Sequence, residues 1–263
     1  MASRFVRSMF NLFGMEVVRR NALPPEASEA DRRTVALVRP YTMKSADRLW
    51  ALIQAVRYVV AADIPGDLVE CGIWRGGSSM AMAKTLRECG QLTRRIWLYD
   101  TFKGMTEPLP VDVETHSGRP AREALEAEQK NAAGSVWCVA SKDDVCTNLK
   151  KTDYPSDNFK IVEGDVRETL PRETPGQISL LRLDTDWYES TRIELERLYP
   201  KLSPGGVCII DDYGYWDGAR KAVDEYLQRH EIRVLLNKID QAGRIFVKPA
   251  HHAASGSSAA VSF

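Results

Sequence analysis

The chain repeats a pattern that few folds can accommodate, in which a short apolar segment is followed by a stretch with helical spacing. The apolar segments are residues 67–73, 95–100, 159–165, 178–184 and 206–212, and four of them end in an aspartate. Helical stretches follow at residues 77–89, 190–202 and 217–230. Strands connected through helices pair in parallel by right-handed crossovers, which places helices on both faces of the sheet. The sequence therefore predicts an α/β fold with a mostly parallel sheet.

Two further strand-like segments close the pattern, at residues 234–239 and 244–247, with a Gln-Ala-Gly turn between them. This arrangement is typical of an antiparallel hairpin. The expected sheet then has seven strands, of which the hairpin forms the antiparallel part near one edge.

A long insertion at about residues 102–142 interrupts the rhythm. It contains three prolines and a helical stretch at residues 121–131. Connections of this length in a compact domain are usually functional, so we expect this one to cover a substrate. The predicted organisation is a helical segment over residues 1–62, a main domain over residues 63–250, and a disordered tail of small polar residues, 251–263.

Apolar residues alternate with arginines over residues 1–20 and lack the uninterrupted core of a secretory signal. We interpret this segment as an amphipathic helix that packs on its own domain or on a second copy in a homo-oligomer, with a membrane anchor as the less favoured alternative. No apolar run reaches membrane-spanning length. We therefore expect a cytoplasmic protein with no membrane partner.

The overall charge is balanced, with 36 Lys+Arg and 36 Asp+Glu, and no long block of one sign is present. This balance argues against a nucleic-acid partner. The 5 cysteines are scattered and include no CxxC pair. A zinc site or a disulfide framework is therefore not expected, and reduced thiols fit a cytoplasmic protein.

Acidic residues occur at three successive strand ends, where open parallel sheets bind ligands. Glu70 begins the sequence Glu-x-Gly-x-x-x-Gly-Gly, in which glycines let the backbone approach a ligand. This spacing departs from the GxGxxG dinucleotide fingerprint and is closer to the loop of S-adenosylmethionine enzymes, although a purely structural turn would look similar. Asp100 can accept hydrogen bonds from ribose hydroxyls, Phe102 can stack on the purine, and Asp165 can meet the adenine amino group.

A second group of acids follows the fourth and fifth strands, namely Asp184, Asp186, Asp211 and Asp212. If these strands lie beside the first, the carboxylates converge, and they repel one another unless a cation neutralises them. An all-oxygen site suits Mg²⁺, or Mn²⁺ or Ca²⁺, better than zinc. The alternative is helix capping by Asp186, Asp212 or Asp217, which would account for one or two of these acids.

Such a site would suit methyl transfer to oxygen. A dication lowers the pKa of a coordinated hydroxyl group, and a free carboxylate nearby can take its proton. The oxygen then has to approach a sulfonium methyl group in line, so positioning supplies much of the catalysis.

The motifs taken in order resemble those of the macrocin O-methyltransferase family. They are Pro40-Tyr-Thr-Met-x-Ser45, Glu70-Cys-Gly-x-x-x-Gly-Gly-Ser78, Tyr99-Asp-Thr-Phe-x-Gly-Met105, Leu183-Asp-x-Asp-x-Tyr-Glu-Ser-Thr191 and Asp211-Asp-Tyr213. The resemblance covers roughly residues 40–249. It implies a Rossmann-like class I methyltransferase fold, S-adenosylmethionine and Mg²⁺ as cofactors, and a small glycosylated substrate, because family members methylate sugar hydroxyls in macrolides and aminocoumarins.

The resemblance also implies roles for individual residues. Asp184, Asp211 and Asp212 would bind Mg²⁺, and Asp186 would be the general base. The implied cofactor-binding residues are Tyr41, Thr42 and Met43 in a lid, Glu70, Gly72 and Ser78 along the methionine part, Asp100 at the ribose, and Phe102 and Asp165 at the adenine.

Several alternatives stay open at this point. A catechol-type methyltransferase would share the cofactor and the metal, a non-catalytic protein would bind S-adenosylmethionine without using Asp186, and a nicotinamide dehydrogenase would share the fold. Trp187 can either stack on substrate or pack beneath the insertion. His116 can contact substrate, although an exposed loop histidine is favoured.

Overall fold

A computed structural model describes residues 22–130 and 135–250. The predicted N-terminal amphipathic helix, with the homo-oligomer it suggests, and the predicted tail at residues 251–263 lie outside the described residues. No helix within the described ranges is long and apolar enough to cross a membrane.

Seven strands form one sheet in the order β3-β2-β1-β4-β5-β7-β6. The strands are β1 Asp67–Cys71, β2 Ile96–Asp100, β3 Phe159–Glu163, β4 Ile178–Leu183, β5 Leu202–Ile210, β6 Asn237–Lys238 and β7 Arg244–Val247. β1 to β5 pair in parallel, whereas β7 is antiparallel to both β5 and β6. The predicted fold, with its mostly parallel sheet and C-terminal hairpin, is confirmed.

Helices cover both faces of this sheet. They are α1 Glu29–Val38, α2 Ala46–Ala61, α3 Gly77–Glu88, α4 Ala121–Glu126, α5 Lys142–Lys150, α6 Val166–Thr169, α7 Tyr188–Leu198 and α8 Asp217–Arg229. α2 begins where the Ser45 side chain accepts a hydrogen bond from the Arg48 backbone N–H, a standard N-cap. Its apolar residues recur at helical spacing, and Leu49, Ile53 and Val56 are each no more than 1% exposed.

Alternate residues along each strand face opposite cores. Leu68 and Ile209 join the core beneath α2 and α3, whereas Val69 and Ile210 join the core beneath α7 and α8. Burial of each such side chain stabilises the fold by about 1.5–3 kcal/mol. Because both faces are covered, the strands read as near-continuous apolar runs rather than as alternating ones.

The insertion between β2 and α5 folds onto the N-terminus of α7 and onto the loop that precedes α8. The Asp112 carboxylate accepts hydrogen bonds from the backbone N–H groups of Leu109 and Tyr188, at 2.6 and 2.8 Å. The helix of the insertion, α4, ends at Glu126, before the predicted limit of residue 131. The Glu128 side chain accepts a hydrogen bond from the Val136 N–H, so the chain has already turned back there.

Candidate active site

The carboxyl ends of the parallel strands border a cavity of about 1250 Å³. β1 lies between β2 and β4. From β1 the chain continues to β2 and β3 on one side of β1, and β4 and β5 then follow on the other side. Ligands of open α/β sheets bind at such a switch point. Three regions of the cavity are named by their residues. The glycine-loop end surrounds residues 72–77, the carboxylate end contains Asp184 and Asp212, and the insertion end contains Met105 and Tyr215.

At the glycine-loop end, Asp100 is held by backbone groups. Its Oδ2 accepts hydrogen bonds from the N–H groups of Ile73 at 2.7 Å and Trp74 at 3.2 Å, and its Oδ1 accepts from Phe102 at 2.7 Å. Burial raises the pKa of Asp100, and these hydrogen bonds oppose the rise. Gly72 has a φ of +80°, and a Cβ atom there would clash with the Asp184 carbonyl group. The loop therefore requires glycine, and Asp100 fixes its shape.

Residues 41–43 close over the N-terminus of α3. A Cβ atom on Gly77 would lie 2.5 Å from the Tyr41 carbonyl oxygen, so the two backbones are in close contact. The Lys151 ammonium donates a hydrogen bond of 2.7 Å to the Tyr41 hydroxyl and lies 4.4 Å from the centre of its ring. Tyr41, Thr42 and Met43 all line the cavity.

At the carboxylate end, Asp184, Asp186 and Asp212 each offer a carboxylate oxygen within 4.8 Å of the others. Burial, followed by the negative charge of Asp184, raises the pKa of Asp186 to about 7. Burial also raises the pKa of Asp212 well above its usual value, and the charge of Asp186 adds to it.

Three oxygens at these separations fit a hard dication. Oxygen ligands about 2.1 Å from Mg²⁺ lie about 3–4 Å from each other, within the spread seen here. These carboxylates raise each other's pKa, and a bound cation would offset the repulsion that causes the rise. The donor set contains no nitrogen or sulfur, which disfavours zinc.

Asp211 is not part of this group and is surrounded by cations. Its Oδ1 accepts a hydrogen bond from Arg182 at 2.7 Å, and its Oδ2 lies 2.6 Å from the Lys44 ammonium and 2.5 Å from Arg48 Nη1. Although burial raises its pKa, the charges of Arg182, Lys44 and Arg48 hold the pKa of Asp211 well below its usual value. Asp211 is therefore an ionised carboxylate.

At the insertion end, Trp187 packs beneath the insertion rather than facing the open cavity. It is 2% exposed, donates a hydrogen bond from Nε1 to the Thr106 carbonyl group at 3.0 Å, and meets Trp216 edge to face at 4.9 Å. Tyr215 is 44% exposed and lines the cavity, and its hydroxyl donates to Glu114 Oε1 at 3.1 Å. His116 is exposed and is not among the described residues that line the cavity.

Comparison with known proteins agrees with this geometry. A model of the family described as macrocin-O-methyltransferase (TylF) matches residues 3–248. The chain belongs to the macrocin O-methyltransferase family.

The relatives are named as O-methyltransferases, and the name of one specifies a rhamnosyl compound as its substrate. The 8-demethyl-8-(2,3-dimethoxy-alpha-L-rhamnosyl)-tetracenomycin-C 4'-O-methyltransferase of Streptomyces olivaceus is 38% identical over 203 residues, which are 77% of this chain and 74% of that protein. The demethyldecarbamoylnovobiocin O-methyltransferase of Streptomyces niveus is 34% identical, also over 203 residues, with the same two shares. The structure of the O-methyltransferase NovP has a TM-score of 0.68 and 32% identity, covering 80% of this chain and 83% of that one.

Family membership makes the chain an O-methyltransferase, so it does not support the dehydrogenase alternative or the binding-only alternative. Most of the site residues implied by the resemblance line the cavity. They are Tyr41, Thr42, Met43, Glu70, Gly72, Ser78, Asp100, Asp165, Asp184, Asp186 and Asp212. Phe102 and Asp211 are not among the described residues that form its wall. Phe102 packs against the core beneath α2 and α3 instead.

Two of the cavity-lining acids already have protein partners. The Glu70 carboxylate is 1% exposed and accepts hydrogen bonds from Arg182 and from the Ser79 hydroxyl. Asp165 caps α6 and forms a bidentate ion pair with Arg167, whose closest contact is 2.6 Å. Their carboxylates therefore shape the site whether or not they also reach the cofactor.

The cations of the site were not predicted from the sequence; they are Arg182, Lys44 and Arg48. Arg182 had a usable signal, because it lies within the apolar strand β4, where a charged residue needs a buried partner. Lys44 and Arg48 had no local signal, since they precede or begin α2 and meet their aspartates only in the folded chain.

Proposed function

We propose that this protein is an S-adenosylmethionine- and Mg²⁺-dependent O-methyltransferase that acts on a sugar hydroxyl of a glycosylated natural product. The observation that carries the proposal is the position of the Asp184–Asp186–Asp212 group, next to the glycine loop in one continuous cavity. The methyl donor and the acceptor hydroxyl group would thus be neighbours. The substrate class follows from the names of the relatives.

The glycine-loop end suits the methyl donor. Asp100 lies at the end of β2, where a carboxylate can accept hydrogen bonds from both ribose hydroxyls. Gly72 and Ser78 line the same part of the cavity, and residues 41–43 border it from the other side. S-adenosylmethionine supplies an electrophilic methyl group, and these residues orient it towards the carboxylate end.

The carboxylate end suits activation of the acceptor. Asp184 and Asp212 present oxygens to a dication. Asp211, the third ligand that the family resemblance implies, has both of its oxygens paired with arginines. A bound dication would lower the pKa of a coordinated hydroxyl group. We assign Asp186 as the general base because its carboxyl group faces the same space as those of Asp184 and Asp212, where a carboxylate can take the proton of an acceptor hydroxyl group.

The insertion end suits the sugar. An acceptor hydroxyl at Asp186 leaves the rest of the molecule to extend towards Tyr215, Met105 and the remainder of the insertion. Tyr215 offers an exposed aromatic face, and its partner Glu114 offers a carboxylate that can accept sugar hydroxyls. The insertion would therefore select the acceptor.

The test is a mass-spectrometric methylation assay with S-adenosylmethionine, Mg²⁺ and a panel of rhamnosylated and other glycosylated aromatic compounds, with a simple catechol included. We expect a mass gain of one methyl group on the sugar of at least one panel member. Chelation with EDTA should abolish turnover, and added Mg²⁺ should restore it. Methylation of the catechol alone would reassign the acceptor class, and undiminished activity after complete metal removal would overturn the metal assignment.

A further inference from the structure

The Lys44 ammonium lies inside the carboxylate end of the cavity. Its Nζ is 2.7 Å from Asp184 Oδ1 and 2.6 Å from Asp211 Oδ2, and its side chain is 19% exposed. It thus contacts two of the three carboxylates that the family resemblance assigns to the metal. A positive charge at this position does what a dication would do there, because it offsets the repulsion between the two carboxylates.

The other two cations of the site are fixed in place. The Arg182 side chain is 3% exposed and is shared among Glu70, Asp184 and Asp211. Arg48 bonds Asp211 through Nη1 and Asp240 through Nε, at 2.5 and 2.8 Å. Each guanidinium therefore has several charged partners that a nearby ion would not replace.

Lys44 is held differently. Within the described part of the chain, the ion pairs of its ammonium are with Asp184 and Asp211 alone, and Asp184 also belongs to the group that could bind a metal. Its backbone is anchored separately, because Arg39 Nη1 donates to the Lys44 carbonyl group at 2.8 Å and the Lys44 N–H donates to Thr42 Oγ1 at 3.1 Å. The flexible side chain can therefore swing away while the backbone stays in place.

We propose that the Lys44 ammonium is an internal cation that occupies the carboxylate end in the metal-free protein and has to leave before a divalent ion can bind there. The two cations compete for the same oxygens, so both cannot be accommodated within a few ångströms of each other. Departure of Lys44 releases Asp184 Oδ1, whereas Asp211 keeps its contacts with Arg48 and Arg182. This proposal rests on the metal assignment of the proposed function.

The proposal also links the metal to the lid. Lys44 directly follows Tyr41, Thr42 and Met43, which border the space for the methyl donor. Release of its side chain changes the contacts of this segment without requiring the segment to unfold. Metal binding and methyl-donor binding would thereby be coupled through one residue.

The first test measures divalent-ion affinity directly, without turnover. Mn²⁺ is titrated into metal-free protein, and free Mn²⁺ is followed by electron paramagnetic resonance for the wild type, Lys44→Met and Lys44→Arg, with Lys150→Met as a control on the exposed side of α5. We expect the dissociation constant to fall about tenfold in Lys44→Met, because no internal charge has to be displaced. Lys44→Arg and Lys150→Met should not tighten binding. Equal or weaker binding by Lys44→Met would overturn the proposal.

The second test uses the wild-type protein and so does not depend on the stability of any variant. Lysines are acetylated with acetic anhydride in the presence of EDTA or of Mg²⁺, and labelling of Lys44 relative to Lys150 is read by peptide mass spectrometry. Mg²⁺ should increase labelling of Lys44, since its ammonium is released from two carboxylates. Unchanged labelling in a protein that binds Mn²⁺ would refute the displacement of Lys44 and leave the proposed function standing. Absence of Mn²⁺ binding in every variant would overturn both.

Discussion

Carboxylates at the glycine-loop end and at the carboxylate end of the cavity are held by different kinds of partner. At the glycine-loop end, Asp100 accepts hydrogen bonds from backbone N–H groups of nearby loops, and Asp165 pairs with Arg167 two residues further along its own helix. At the carboxylate end, Asp211 is held by Arg182, Lys44 and Arg48, three side chains from other elements. The first end is held by backbone groups and by a neighbour in sequence, and the second by charged side chains from other elements.

This difference bears on what each end can do. Backbone donors hold an acid rigidly and keep its orientation, which suits recognition of a ligand that always binds in the same way. Side-chain cations balance charge, and one of them can exchange for a bound ion. We therefore expect substitutions at the carboxylate end to change stability and turnover most, and those at the glycine-loop end to change cofactor affinity.

The largest effect should come from Asp186→Asn. Loss of the base should lower methyl transfer about 10²- to 10⁴-fold. Asp186 has a φ of +66°, a conformation that asparagine also tolerates, so the backbone should not be strained. Initial rates measured by mass spectrometry report the loss of the base, and calorimetry reports S-adenosylhomocysteine binding. The rate should fall while binding persists.

The matched control for this substitution is Glu189→Gln. The Glu189 carboxylate pairs with Arg192 on α7 at 2.9 Å, away from the metal group. Its rate should stay close to that of the wild type. Full activity in Asp186→Asn would refute the assignment of the base.

Arg182→Met should be the most destabilising substitution. The variant leaves Glu70, Asp184 and Asp211 buried with one cation fewer, and breaking a buried ion pair in this way costs about 3–5 kcal/mol. The free energy of unfolding in urea measures the loss. Arg167→Met at the glycine-loop end should cost under about 1 kcal/mol, because that guanidinium is largely exposed. Equal losses would erase the contrast between the two ends.

Asp100→Asn should act on the cofactor alone. The amide nitrogen cannot accept the N–H groups that a carboxylate oxygen accepts, so the loop around Ile73 loses its support and the ribose loses a charged partner. We expect S-adenosylhomocysteine affinity to fall about 10- to 100-fold, the effect of losing a charge-assisted hydrogen bond. Mn²⁺ affinity, measured on the same preparation, should not change. A parallel loss of Mn²⁺ affinity would mean that Asp100 also supports the carboxylate end.

The smallest of these effects should come from Gly77→Ala. The new methyl group would lie 2.5 Å from the Tyr41 carbonyl oxygen, so the segment at residues 41–43 has to shift. Overpacking of this kind costs about 1–3 kcal/mol. Gly176→Ala is the control, because a Cβ atom there meets nothing within 4 Å. Thermal unfolding and S-adenosylhomocysteine binding are measured for both variants. Equal unfolding temperatures and equal affinities would show that residues 41–43 do not need the close contact with Gly77.

Much of the fold could be predicted because its signals are local. The apolar runs that became β1 to β5 and the helical spacing of α2, α7 and α8 depend on neighbouring residues. Observed boundaries differed by a few residues, as for β5, which begins at Leu202 rather than at residue 206. Acids placed directly after strands also predicted the edge of the sheet at which the site lies, because carboxyl ends of parallel strands meet there.

The sequence by itself therefore determined the α/β order, the edge that carries the site and the family. The tertiary structure decided how the aspartates differ. Lys44 lies 140 residues before Asp184, and Arg48 lies 163 residues before Asp211, so no local pattern could reveal that these cations enter the site. Charge balance in a buried cluster depends on every group within a few ångströms, and only the folded chain brings those groups together.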